Sequence, residues 1–192
     1  MPIAASSSIE QDLRRILWVQ AIRAYLYGFA AVVLGKSLVG SGMSITRTGF
    51  IGTAMLLGMG LSALIVGSIG DRAGRRRLYG ALLLGVGIAG AVFALTNSFW
   101  ILLLVALSGT MSTDANDNGP VTTLEQSMIA EASPASRLRV FGRYNAVAYL
   151  AGAAGALTVR VLAWIRNAVP GTPIDQRWLL MFPIGGFVCL LL

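Results

Sequence analysis

The stretch Gly67–Arg77 reads GSIGDRAGRRR and separates two apolar runs, Thr48 to Ile69 and Leu78 to Leu95. Gly70 and Gly74 supply backbone freedom for a tight reversal, Asp71 can cap or pair, and Arg72, Arg75, Arg76 and Arg77 concentrate positive charge. A strongly basic turn between two oily runs marks a loop held on the cytoplasmic side of a bilayer. That anchoring explains the charges. It leaves the order glycine, aspartate, arginine, glycine, arginine without an account.

Composition agrees with a bilayer setting. Of 192 residues, 56% are hydrophobic and 12% charged, and the mean hydropathy is +0.73; soluble domains carry about 25% charged residues. The net charge of +7 does not point to nucleic acid, because the arginines fall between apolar runs rather than along a stripe with exposed aromatics. The chain has no histidine and one cysteine, Cys189, so it has no internal disulfide, no imidazole-based metal site and no His-based triad. The start, MPIAASSSIEQDLRR, lacks a basic lead and an apolar core, so it does not read as a signal peptide. Residues 1–15 are expected to form a short, mostly disordered cytoplasmic tail.

Hydrocarbon about 30 Å thick requires roughly 20 apolar residues per helix. Six runs meet or approach that length: 16–39, 48–69, 78–95, an interrupted segment 99–130, then 138–165 and 178–192. The expected fold is therefore all-α, a polytopic six-helix membrane bundle. The last run, WLLMFPIGGFVCLLL, would extend only roughly 22 Å as a helix, so it reads as incomplete and the chain as a fragment of something longer. Arg14, Arg15, Arg23, Arg72, Arg75, Arg76, Arg77, Arg137, Arg139 and Arg143 fall on the N-terminal side. The other side has Arg47, Arg166 and Arg177, with Lys36 and Arg160 near it. This bias places the N-terminus in the cytoplasm, with the inner (cytoplasmic) membrane as the expected location. Small residues on the second helix (Gly49, Thr53, Gly60, Gly67) and on the fifth (Gly152, Gly155, Ala156) allow close packing within the bundle or, as the alternative, a sliding interface between two halves.

The order of residues in the basic turn resembles the signature between helices two and three of the major facilitator superfamily, G-x-L-A-D-R-x-G-R-[KR]. Gly67, Asp71, Arg72, Gly74, Arg75 and Arg76 fill it, with conservative departures at Ile69 and Gly70. RAYLYGFAAVVL in helix one and SPASRLRVFGRYN after helix four, with Pro134 and Arg137, are similar to the family as well. The resemblance covers almost the whole chain as the first six of twelve helices. It implies a carrier of two bundles that rock about a central cavity lined by helices one and four. It also implies that Asp71 and its neighbouring arginines form a charge network latching one state against a second bundle. Two departures matter: Val105 stands where proton-exchanging members often carry arginine, and YLAGAAGAL in helix five lacks the antiporters' proline. Proton antiport is thus unsupported, and the direction of transport stays open.

The segment Asp114–Glu125, DANDNGPVTTLE, fits the EF-hand loop formula, with Asp114, Asn116, Asn118 and Glu125 as side-chain ligands, the Pro120 carbonyl, and Gly119 at the turn. An EF-hand needs a hydrated loop between two packed soluble helices, whereas these flanks read as membrane spans. The resemblance suggests another explanation. Gly109 and Pro134 lie further apart than their family counterparts, and the surplus falls around the polar STDANDN. Helix four is therefore expected to break, with a first half from Phe99 to about Met111, a link near 112–118, and a second half from Gly119 and Pro120. Asn118 suits a cap, Pro120 a first turn, and Thr122-x-x-Glu125 a capping box. Transporters place such breaks at binding sites. The alternative to a cavity-lining break is a surface-facing kink in which Glu125 only caps. In an unbroken helix, Asp114, Asn118 and Glu125 would share one face.

The expected function is a secondary active transporter that moves a small solute by alternating access and performs no covalent chemistry, since no nucleophile has a base nearby. Substrate or ion would meet Asp114, Asp117, Asn118 and Glu125, with Asn145 and Tyr149 from helix five and Tyr27 from helix one. Arg23 and Tyr27, one turn apart in helix one, either face the cavity together or Arg23 snorkels at the cytoplasmic end, as Lys36 is expected to at the other. No cofactor is expected beyond a coupling proton or cation. The expected partners are membrane lipid, the solute and a second six-helix bundle, with no nucleic acid. The rival readings are a membrane-embedded calcium sensor and a half-size carrier that homodimerises.

Overall fold

A computed structural model describes residues 3–114, 119–132, 137–168 and 176–192. All of the regular structure among them is helical. The helices are α1 (Ile3–Gly40), α2 (Ile45–Ala73), α3 (Arg75–Leu95), α4 (Phe99–Leu107), α5 (Pro120–Ala132), α6 (Arg137–Ala168) and α7 (Met181–Leu191), with a 3-10 turn (Gln176–Leu180) leading into α7. Four are long and apolar enough to cross a membrane, over Leu13–Gly40, Ile45–Gly70, Arg75–Leu95 and Arg137–Trp164. The fourth expected run is two shorter helices, and the sixth is the apolar piece Arg177–Leu191. Large apolar side chains such as Leu64, Ile88, Trp100, Leu150 and Trp164 point outward, as hydrocarbon as a solvent allows.

The first helix departs from expectation, because α1 begins at Ile3 and carries helical backbone through the segment read as a disordered tail. Alanine, glutamine, leucine and arginine are good helix formers, so the span's backbone register continues backwards at little cost.

The basic turn is tighter than its two glycines suggest. Gly74 alone makes it, at φ 81°, ending α2 and starting α3, with its carbonyl accepting from the Arg77 and Leu78 amides at 3.0 and 3.1 Å. Gly70 stays helical inside α2, where the absence of a side chain lets Leu124 of α5 lie close. The side chain of Asp71 lies outside the described residues.

Packing follows the small residues in α6 but not the stripe read on α2. The most extensive contact joins α1 to α6, where a Cβ on Gly28 would run into the Gly152 carbonyl and one on Gly155 into the Tyr25 carbonyl. Backbones this close maximise dispersion contact where lipid provides no hydrophobic drive. On α2 the contact residue is Gly58, against the Ala106 and Leu107 carbonyls of α4. Gly49, Gly60 and Gly67 face outward with nothing near them. The third main contact sets α3 on α7, with Gly90 beneath Phe182.

The break in the fourth segment is present and starts four residues before the expected Met111. Leu107 ends α4, and Gly109 follows at φ 68°, a left-handed conformation that halts the helix. Its amide donates back to the Ala106 carbonyl at 3.2 Å, and its backbone lies against that of Gly58. Pro120 opens α5, the first-turn position its ring favours. Asn116, Asp117 and Asn118 lie outside the described residues.

Candidate functional site

Where α1, α3, α5 and α6 meet, the interior holds charge. Glu125 on α5 is fully buried, and Arg23 on α1 is 2% exposed. The Arg23 Nη2 donates to Glu125 Oε2 at 3.0 Å. It also donates to Gln20 Oε1 at 2.5 Å and to Thr122 Oγ1 at 2.9 Å. The Tyr79 hydroxyl on α3 donates to Glu125 Oε1 at 2.7 Å, and the Tyr144 hydroxyl on α6 donates to Oε2 at 2.5 Å. Four helices thus converge on one carboxylate.

Energetics make that convergence necessary. A lone carboxylate or guanidinium in a low-dielectric interior faces a desolvation penalty of several kcal/mol, offset only by good pairing and further hydrogen bonds. Glu125 has a cation and two hydroxyl donors. Gln20, one turn before Arg23, orients the guanidinium from its own helix, and the Gln20 Nε2 is buried without a hydrogen-bond partner among the described residues. The Tyr27 ring lies 5.9 Å from the Arg23 guanidinium carbon, and its hydroxyl donates to the Thr110 carbonyl at 3.3 Å. Tyr27 therefore links the charge centre to the polar link after α4.

Several expectations change here. Arg23 does not snorkel; it turns inward, because Glu125 offers it a partner that lipid does not. The capping box is not formed: the helix starts at Pro120, Thr122 turns its hydroxyl to Arg23, and Glu125 gives both oxygens to other helices. Glu125, the last ligand of the calcium formula, faces a guanidinium that would repel a divalent cation. Asp114 is exposed, unlike Glu125, and its amide donates to Ser112 Oγ at 3.0 Å. On α6, Tyr144 reaches the centre while the neighbouring Asn145 is half-buried and makes no hydrogen bond to it among the described residues. Tyr149 is 60% exposed and lies away from the centre. Among the described residues, no three or more histidine, cysteine, aspartate or glutamate side chains group to hold a metal ion.

Gln20, Tyr79, Thr122 and Tyr144 were missed in the sequence. A signal existed for the first: Gln20, Arg23 and Tyr27 form one polar face on an otherwise oily helix. None existed for the tyrosines. Each follows a group of arginines and reads as an ordinary interfacial anchor.

Comparison with known proteins bears on the same residues. An uncharacterized membrane protein of Saccharomyces cerevisiae is 29% identical over 147 residues, covering 74% of this chain. The chain spans only 32% of that relative's length. No solved structure matches. The sequence pattern of the Major Facilitator Superfamily matches residues 16–192, nearly the whole of the chain and including the basic turn and the charged centre. A helical, outwardly apolar bundle with that match has one assignment: this chain belongs to the major facilitator superfamily, whose members are membrane transporters.

Proposed function

We propose that the chain is the N-terminal bundle of a secondary transporter that moves a small solute by alternating access against a second bundle. In this reading six segments cross the membrane: the four long helices, α4 and α5 together as one broken crossing, and the 3-10 turn with α7. The arginine bias sets the N-terminus in the cytoplasm, at the cytoplasmic membrane. Gly67, Gly70, Asp71, Arg72, Gly74, Arg75 and Arg76 act in the conformational switch, as the family resemblance implies. The chain is read as a transporter and not an enzyme: the Glu125 carboxylate beside the Tyr79 and Tyr144 hydroxyls is held by the Arg23 guanidinium.

The observation that carries the reading is the Arg23–Glu125 pair, held inside four helices and beside a broken one. An intramembrane ion pair is expensive to keep and is a functional candidate by default. Paired as it is, Glu125 does not simply await a basic group. A coupling proton or a cationic group arriving at Glu125 would release Arg23, and an anionic group arriving at Arg23 would release Glu125. Either exchange converts occupancy into a change at the junction of α1, α3, α5 and α6. Tyr27 joins this centre to Thr110, at the start of the link after α4; Asp114, Asp117 and Asn118 remain proposed contacts of the solute or ion, with Asn145 and Tyr149 in a lesser part.

The test is uptake of a panel of labelled solutes by the full-length transporter in proteoliposomes, for wild type, Glu125→Gln, Arg23→Gln and both together. The reading expects any solute carried by wild type to lose at least about tenfold in rate in each single variant, from the loss of a charge-assisted contact. It expects no recovery in the double variant. Wild-type uptake in Glu125→Gln removes this centre from transport.

A further inference from the structure

Gln20 is 1% exposed, and the polar atoms of its amide are placed very differently. Oε1 accepts from Arg23 Nη2 at 2.5 Å, whereas Nε2 has no hydrogen-bond partner among the described residues. Turning the amide over would not repair this, because it would set N–H against guanidinium N–H. Arg23 therefore fixes the orientation, and a buried donor is left over. The acceptors around it are engaged. Glu125 takes Arg23, Tyr79 and Tyr144, and Thr122 Oγ1 takes Arg23. Arg23 has interactions beyond these within the protein, so the unmet capacity lies on Gln20. These hydrogen bonds all join α1, α3, α5 and α6, and none of them involves α7.

Protein interiors hold few buried donors without an acceptor, and each such group calls for a physical reason. A water at Nε2 would accept its hydrogen but bring two hydrogens of its own to oxygens already engaged. A group that only accepts suits the position better. We propose that the transported solute is a small anion, whose carboxylate or other oxyanion group docks on Gln20 Nε2 and takes the place of Glu125 at Arg23. It rests on the transport reading of this centre, and it selects one of the two exchanges that reading allows. Glu125 is then a built-in competitor, which holds the guanidinium until the anion arrives. The Tyr79 and Tyr144 hydroxyls donate to Glu125 without the help of Arg23, so the displaced carboxylate keeps both donors. A cation arriving at Glu125 has no such provision: it would meet the same two O–H donors, and the Gln20 donor would stay unmet. Closed as the centre is here, the anion enters when α1 and α5 part.

The experiment measures binding and uptake by the full-length, monodisperse transporter in proteoliposomes. The anionic probes are lactate, succinate, inorganic phosphate and sulfate; choline and putrescine are the cations, and glycerol and glucose the neutral solutes. The proposal expects at least one anion to bind and be carried, and neither cation. Lactate or succinate alone marks a carboxylate site, and phosphate or sulfate alone an inorganic one. Gln20→Glu keeps an oxygen on Arg23 and replaces the amide N–H by a second oxygen, and should weaken binding of that anion at least about tenfold. Glu125→Gln removes the competitor's charge and should tighten binding on the order of tenfold. Its uptake should still fall, because Glu125 is what expels the anion. Loss of packing alone would weaken binding in both variants, so the opposite signs identify the competition. Weaker anion binding in Glu125→Gln, unchanged binding in Gln20→Glu, or a panel in which no anion binds overturns the proposal. Uptake of a cation that Glu125→Gln abolishes also overturns it, yet leaves the transport reading standing; wild-type uptake in Glu125→Gln removes that reading as well.

Discussion

At the scale of residues, the decisive question is how a membrane bundle tolerates Glu125. Its two oxygens are met by Arg23, Tyr79 and Tyr144, so the carboxylate is hydrated by protein instead of water. Hydrogen bonds to a charged group are worth about 1.5–3 kcal/mol each. Tyr144→Phe, at a fully buried position, should lower stability toward the upper part of that range, and Tyr79→Phe, at a half-buried one, toward the lower. Tyr149→Phe is the internal comparison: that ring is 60% exposed, and its loss should stay within about 0.5 kcal/mol. Unfolding in detergent by increasing sodium dodecyl sulfate measures all three. Equal, small effects across them would mean the hydroxyls do not serve the carboxylate.

At the scale of elements, close backbone approach and one left-handed glycine do most of the shaping. Gly109 at φ 68° is held against Gly58 and Ser62, so Gly109→Ala combines left-handed strain of about 1–2 kcal/mol with overlap between α2 and the end of α4. Gly155→Val should likewise force α6 away from α1, costing about 1–3 kcal/mol or more. Gly35→Ala, where a Cβ meets nothing, should be neutral or slightly stabilising. Heat-induced aggregation of the three variants would rank them, and a Gly35→Ala effect as large as the others would refute the packing account. Element boundaries were largely legible. The basic turn, the four long spans and the break around Pro120 follow from apolar length, arginines and turn residues. What misled was rotation about a helix axis. On α6 the reading chose Asn145, whereas Tyr144, one residue and about 100° away, is the one that points inward. A helix apolar on nearly every face carries no moment to orient it.

At the scale of the whole molecule, family membership rests on the match over residues 16–192, and orientation rests on the arginine bias. Single cysteines test the orientation in a background with Cys189 and any further native cysteine of the full-length protein replaced by alanine. Arg77→Cys should react with an impermeant maleimide only from the cytoplasm, and Gly42→Cys only from the opposite face; labelling of both from one side contradicts the topology. The charged centre is half legible in the sequence: Glu125 reads as an intramembrane acid and Arg23 as either cavity-facing or snorkelling, but nothing in the sequence pairs the two. Their separation along the chain hid a pairing that only the assembled bundle creates. That pairing is the centre of the account, and a double-mutant cycle on Arg23→Met and Glu125→Leu, read as unfolding free energy of the full-length protein, tests it most directly. Each single change strands a buried charge and should cost about 3–5 kcal/mol, while the double change should recover much of that loss. The account predicts an interaction energy at least as large as one single effect, about 3 kcal/mol or more, and single effects that simply add, within about 0.5 kcal/mol, would contradict it.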